Sequence, residues 1–252
     1  MTDFHFYQVG GCVRDRLMGV ESSDIDFSVV ASDRFTNGFE AFDALIAKLE
    51  SQDFAIWGAK PEFLSLSARA PKSHPLRAIT DGKIDYTISR RDGSYYDGRR
   101  PETVELGSLA DDMARRDFTV NALAQCAESG QIIDLHGGVA DINAKVLRFV
   151  GDGAKRIAED GLRVARAIRF SYSKGLTMTD ETRAIINSDL AVEMLAAVDE
   201  DRRRMELTKL FNSGTSNGLD ALAELRREVR EAYTAGIQLR LTQSKKKAQV
   251  QG

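Results

Sequence analysis

The chain has 252 residues, 42% hydrophobic and 29% charged, with a formal net charge of −3 at pH 7. That length and balance suit one large or two small folded domains and argue against wholesale disorder. Two cysteines, Cys12 and Cys126, exclude a disulfide scaffold and a four-cysteine zinc site, and no apolar run reaches the roughly 18–20 residues of a membrane helix.

The N-terminal MTDFHFYQVGG lacks the basic and apolar regions of a signal peptide, so a cytoplasmic location without a membrane partner is expected. YQVGG reads as a strand running into a glycine turn, and CVRDRLMG as a short helix closed by Gly19. DIDFSVVA alternates and is β-branched, hence a strand. Phe39, Phe42, Leu45, Ile46 and Leu49 fall at helical spacing. EFLSLSAR and KIDYTIS alternate again, with RAPKSHPLRAITDG between them read as a loop. All four prolines lie in the first 101 residues. The rest is free to be helical, with helices expected near 110–128, near 153–173, after Thr179 and over DRRRMELTKLF. Leu219, Leu222, Leu225, Val229 and Tyr233 form a further stripe, with Asn217 as its N-cap. The fold class expected is α+β, a mixed-sheet first half followed by helices. From Arg202 onward 11 Lys and Arg face 5 Asp and Glu, so a basic end follows an acidic body.

The first half carries the densest chemistry. Gly10 and Gly11 end a strand where bare backbone can approach a phosphate, and Arg14 follows in the first turns. Asp24 and Asp26, two apart on a strand, present both carboxylates on one face. Beside a phosphate cradle they make a site for Mg²⁺. Asp85, on KIDYTIS, supplies a third carboxylate. The basic, glycine-rich RRDGSYYDGRRPETVE that follows suits a mobile element near a nucleotide, or an ordinary hairpin loop. In MARRDFTVNALA, Arg116 can meet phosphate and Asp117 with Asn121 a ribose hydroxyl, unless the run is a salt-bridged surface helix. In RIAEDGLRVARAIRF, Asp160 and Arg163 offer an acceptor beside a donor fork, able to satisfy the edge of a base. An ion-pair ladder fits the same spacing. His5, His74 and His136 make no ligand pattern.

These segments, in this order, resemble the class II tRNA nucleotidyltransferase and bacterial poly(A) polymerase family. GGCVRDRLMGVESSDIDFSVV resembles its metal-binding motif, RRDFTVNALA its ribose-selecting motif, DLHGGVADI its head–neck hinge, EDGLR its base template and DRRRMELTKL its last neck motif. The resemblance covers roughly residues 7–210. It implies a polymerase-beta-like head over 1–136, an all-helical neck over 137–213, and a residual helix with a basic, flexible end over 214–252. It further implies catalytic Asp24, Asp26 and Asp85, the first two holding Mg²⁺ in a two-metal mechanism. Gly10, Gly11, Arg14, Arg116, Asp117, Asn121, Asp160, Arg163 and Arg166 would bind CTP and ATP, with Glu159 positioning Arg163. Arg90, Asp97 and Arg99 would belong to a flexible loop. The implied activity is addition of CMP and AMP to an RNA 3′ end, foremost the tRNA CCA end. A poly(A) polymerase and a non-catalytic RNA- or nucleotide-binding module are the alternatives, and a homo-oligomer is left open. Two departures stand out. Gly161, inside the template helix, is expected to loosen it, since glycine costs about 1 kcal/mol there relative to alanine. Family members continue into body and tail regions, whereas about 40 residues follow the neck here. Grip on a short stretch of RNA, use of the basic end, or surface borrowed from a second subunit are therefore expected.

Overall fold

The computed structural model describes residues 2–22, 24–93 and 103–237. Strand β1 (Phe4–Val9) leads into helix α1 (Gly11–Leu17), then β2 (Ile25–Ala31), α2 (Gly38–Glu50), β3 (Ala55–Lys60), β4 (Ser65–Arg69), α3 (Arg77–Thr80) and β5 (Lys83–Ile88). A hairpin of β6 (Arg90–Asp92) and β7 (Val104–Leu106) precedes α4 (Leu109–Ala114), a 3₁₀ turn (Thr119–Asn121), β8 (Leu123–Cys126) and β9 (Ile132–Asp134). The remainder is α5 (Gly138–Ala144), β10 (Val146–Leu147), α6 (Gly153–Glu159), α7 (Leu162–Lys174), β11 (Thr177–Met178), α8 (Asp180–Ile186), α9 (Asp189–Ala196), α10 (Glu200–Asn212), α11 (Thr215–Ala223) and α12 (Arg227–Thr234).

The main sheet has the order β3-β4-β5-β2-β1-β8-β9. β2 and β5 are parallel, and every other pairing in it is antiparallel. Alternation explains the faces. Ile25, Phe27, Val29, Ile84, Tyr86 and Ile88 are buried in one core with Phe42, Leu45 and Leu49 of α2. Asp24, Asp26 and Asp85 take the alternate positions, on the side of the strands away from that core.

A second core joins the helices to the sheet-bearing part. Cys12 and Val13 of α1 and Phe118, Val120 and Leu123 are buried in it, together with Ile157, Ile168, Leu195, Leu210 and Tyr233 from the helices. Residues 137–234 thus rest on α1 and on the 118–123 segment. Arg203 closes the far end: it is 7% exposed and donates to the carbonyls of Val198, Ala232, Tyr233 and Ala235.

Four expectations about elements are corrected. The helix expected near 110–128 ends at Ala114, because Asp117 and Asn121 hold the chain in a turn that β8 then leaves as a strand beside β1. The helix expected near 153–173 is broken at Asp160, which is extended (φ −154°, ψ 106°) between α6 and α7. The RAPKSHPLRAITDG loop contains the short α3. The final apolar stripe is divided between α11 and α12, because Arg226 leaves the helical conformation (φ −50°, ψ 138°) and its amide bonds the Asn187 side chain. Asn217 lies within α11, whose N-cap is Gly214, and Leu219 is 59% exposed.

Candidate active site

The three acidic residues come together through strand register. Asp26 on β2 pairs directly with Asp85 on β5, and Val9, next to the glycine turn, pairs with Asp26 on the other side. Asp24 lies one residue before β2. The Asp26 carboxyl is pushed up to about 6, first by withdrawal from water against the sheet and then by the charges of Asp85 and Asp24, with Arg116 opposing. Such a cluster favours an added cation. Ser67 of β4, paired with Asp85, donates its hydroxyl to the Asp85 carboxylate.

The glycine turn has the geometry its sequence suggested. Gly10 sits at φ +72°, and a Cβ there would lie 2.9 Å from Arg116 Nη1. Only glycine suits that backbone and that approach. Arg116 also bonds Asp112 at 2.9 Å. Burial alone would raise the Asp112 pKa, but Arg116 and Arg115 outweigh it and hold the carboxyl well below the usual range.

Arg14 is placed differently from expectation. It is 4% exposed and bonds Asp15 and the Asn121 side-chain oxygen while its guanidinium lies 4.9 Å from the Phe170 ring centroid. It props Asn121 from within the fold. Asp117 and Asn121 likewise turn inward. Asp117 Oδ1 accepts from the Phe118 amide (2.8 Å) and Asn121 Nδ2 (3.0 Å), and Oδ2 accepts from Arg166 Nε (2.7 Å), with Arg166 Nη2 in ion-pair contact at 2.6 Å. Those bonds tie the Asp117 carboxylate both to its own turn and to α7. Burial would raise the Asp117 pKa. The charge of Arg166, the Asn121 bond and the charge of Arg163 bring it instead to about 2.

Asp160 and Arg163, expected to face a base, straddle the α6–α7 break. Arg163 donates from Nη1 to Glu159 (2.7 Å) and to the Arg156 carbonyl (2.9 Å), and from Nη2 to the Arg115 carbonyl (2.7 Å). Its Nε and one Nη2 proton are not used by these bonds. Asp160 accepts from the Leu162 amide (3.1 Å) on Oδ1 and from Arg202 Nη2 (2.9 Å) on Oδ2. Gly161 does not interrupt a helix. It occupies the N-cap of α7, where a Cβ would lie 2.1 Å from the Met194 carbonyl oxygen. The glycine lets α7 meet α9, so the expected loosening is corrected to a tight contact.

Residues 115–117 connect the two halves: Arg116 reaches Gly10 and Asp112, the Arg115 carbonyl holds Arg163, and Asp117 holds Arg166. Beside this joint lies a cleft of about 540 Å³ with Arg91, Arg115, Lys155 and Arg156 on its walls. Arg90, expected in a flexible loop, is fixed on β6 by Asp92 and the Phe63 carbonyl. Asp97 and Arg99 lie outside the described residues. Sequence reasoning missed Ser67 and assigned no role to Arg202, because their partners lie 18 and 42 residues away.

The family model for the poly A polymerase head domain matches residues 6–148. The chain belongs to that family. As a member of it, the chain is similar to CCA-adding enzymes. That of Bacillus velezensis is 33% identical over 211 residues, 83% of this chain and 47% of the relative. That of Geobacillus stearothermophilus is 34% identical over 221 residues, 86% of this chain and 48% of the relative. The crystal structure of the Bacillus stearothermophilus CCA-adding enzyme in complex with CTP superposes with a TM-score of 0.71 at 30% identity, covering 91% of this chain and 49% of that one. A tRNA nucleotidyltransferase complexed with a primer tRNA and an incoming ATP analog gives 0.68 at 26%, covering 94% and 61%. This family member therefore spans about half the length of the relatives it matches.

Proposed function

We propose that the chain is a nucleotidyltransferase that adds CMP and AMP, from CTP and ATP, to the 3′ end of tRNA, completing CCA. The observation that carries this reading is the register that sets Asp26 beside Asp85, with Asp24 at the same strand end. The relatives named as CCA-adding enzymes, and the neighbours titled with CTP and with a primer tRNA, support it. We divide the chain as expected, into a head over 1–136, a neck over 137–213 and a C-terminal part over 214–252. A cytoplasmic location accords with tRNA as the acceptor.

Magnesium suits the acidic strand ends. Among the described residues, no three His, Cys, Asp or Glu side chains are already gathered as a metal cage. Mg²⁺ does not need one, since it keeps waters and takes one or two carboxylates plus phosphate oxygens. Asp24 and Asp26 offer that hard, mutually repelling pair. Bound there, Mg²⁺ would neutralise triphosphate charge and make the attacking hydroxyl more acidic. Asp85 supports the acceptor side, and Ser67 holds it.

The chain's own groups do the positioning on which phosphoryl transfer depends. The bare backbone at Gly10 and Gly11 admits the triphosphate, and Arg116 above Gly10 meets its charge. Asp160 accepts from the amino group of cytosine or adenine. Arg163 donates through its unused protons to the adjacent ring nitrogen. Arg14, Asp117, Asn121, Glu159 and Arg166 hold this arrangement in place.

The test is incorporation of labelled CTP and ATP into tRNA lacking CCA, with sequencing of the products. Wild type should produce a defined CCA end, and Asp26→Ala should lose transfer while keeping its fold. A long A tail would assign the chain to poly(A) synthesis. Absence of any incorporation by folded protein would leave a nucleotide- or RNA-binding module.

A further inference from the structure

We infer that Arg202 is a positioning residue for base selection, acting through Asp160. The inference rests on the function proposed above. The two halves of the base-reading pair are held by different parts of the molecule. Arg163 is pinned by Glu159 and Arg156 of α6 and by the Arg115 carbonyl just past α4. Asp160 is tied by its own turn only through Oδ1, to the Leu162 amide. Its other oxygen is held from α10, by Arg202 at 2.9 Å. Both side chains are between one-fifth and one-quarter exposed, so the pair is open to solvent rather than sealed in the core.

The chemistry makes the consequence selective. A carboxylate oxygen accepts from the amino group of cytosine or adenine and repels the keto oxygen of uracil or guanine at the same place. Discrimination therefore depends on where Asp160 holds its charge. A single charge-assisted bond to a guanidinium fixes that position without touching the nucleotide. Without Arg202 the carboxylate can rotate away while Arg163 stays pinned. The site would then keep its donor half and lose its acceptor half.

The experiment compares wild type, Arg202→Ala, Arg202→Lys, Asp160→Ala and the Arg202→Ala/Asp160→Ala double variant on tRNA lacking CCA. It measures kcat and KM for CTP, UTP, ATP and GTP. In Arg202→Ala the CTP:UTP and ATP:GTP ratios of kcat/KM should fall about tenfold, the scale of one lost charge-assisted bond. The loss should appear in KM for CTP and ATP, with kcat for them largely kept. Arg202→Lys should restore most of the ratio, and the double variant should match Asp160→Ala alone. Unchanged ratios in Arg202→Ala, or a double variant that multiplies the single effects, would overturn the inference. If Arg202→Ala loses its cooperative melting transition, Arg202→Met, which keeps the stem and carries no donor, replaces it, and a ratio retained by Met as well as by Lys would equally overturn the inference. A wild type that uses neither CTP nor ATP fails at the earlier step, and both readings go together.

Discussion

Asp117 and Arg166 meet at 2.6 Å across the junction of the sheet-bearing part and the helices, an ion pair reinforced by a hydrogen bond from Arg166 Nε to Asp117 Oδ2. Asp117 is 7% exposed, so the pair works largely shielded from water on its acidic side. The bond links the segment carrying Arg116 to the helix carrying Arg163. It thus ties Arg116, beside the glycine turn, to the helix that carries Arg163.

Breaking that link is expected to destabilise the whole fold. Asp117→Ala strands the Arg166 charge and also unties the Asn121 amide and the Phe118 N–H. Loss of one partner of a fully buried ion pair costs about 3 kcal/mol or more, and less is expected here because the Arg166 side chain is about one-third exposed. Urea unfolding should show a lower midpoint with an unchanged slope. A midpoint within error of wild type would mean that the two parts do not depend on this pair.

The same residue predicts a pH dependence. Asp117 titrates at about 2 in the folded chain, against an ordinary 3.8. As pH falls, the unfolded chain therefore takes up the proton first. The stabilisation is complete above the ordinary value, shrinks between the two, and is gone below about 2. Asp117→Asn removes this titration. The stability gap between wild type and Asp117→Asn should close as pH is lowered through that window, measured by urea unfolding at steps of pH. A gap that stayed constant would place the acid sensitivity elsewhere, with Asp112 the next carboxyl to examine.

Ser67 offers a prediction confined to catalysis. Its hydroxyl donates to Asp85 from the neighbouring strand. Ser67→Ala leaves the backbone register intact and frees one oxygen of Asp85. A net hydrogen bond is worth about 1 kcal/mol, so kcat for CMP and AMP transfer should fall about fivefold with KM for CTP nearly unchanged. A rise in KM alone would mean that the bond serves nucleotide binding rather than the acceptor side.

What was legible in the sequence followed from local pattern. The alternation in DIDFSVVA and KIDYTIS is enough to place Asp26 and Asp85 on strands, and the G-G turn is readable because few other residues adopt positive φ. What was not legible depended on distant partners. The contacts of Arg14 with Asn121 and Phe170 cannot be read from its own turn. Asp117 looks like a free acceptor until Arg166, 49 residues on, occupies it. MARRDFTVNALA has helical composition, yet pairing with β1 makes its end a strand. Tertiary hydrogen bonding outweighed propensity in each case.

Gly161 is the sharpest instance, and it carries the last prediction. By propensity, Gly161→Ala should help, since alanine favours a helix by about 1 kcal/mol. The contact geometry reverses the sign. A Cβ at this position would lie 2.1 Å from the Met194 carbonyl oxygen and 3.1 Å from the Leu195 amide nitrogen. Both are backbone atoms of α9, which cannot swing aside as a side-chain tip can. Either α9 moves away from the α6–α7 junction, or Asp160 and Arg163 move with the turn. Overpacking of this kind costs about 1–3 kcal/mol and sometimes more. Gly161→Ala should therefore lower the melting temperature. It should also raise KM for both CTP and ATP, because both halves of the base-reading pair flank the displaced residue. An unchanged or higher melting temperature would show that propensity, not the approach of α9, governs this position.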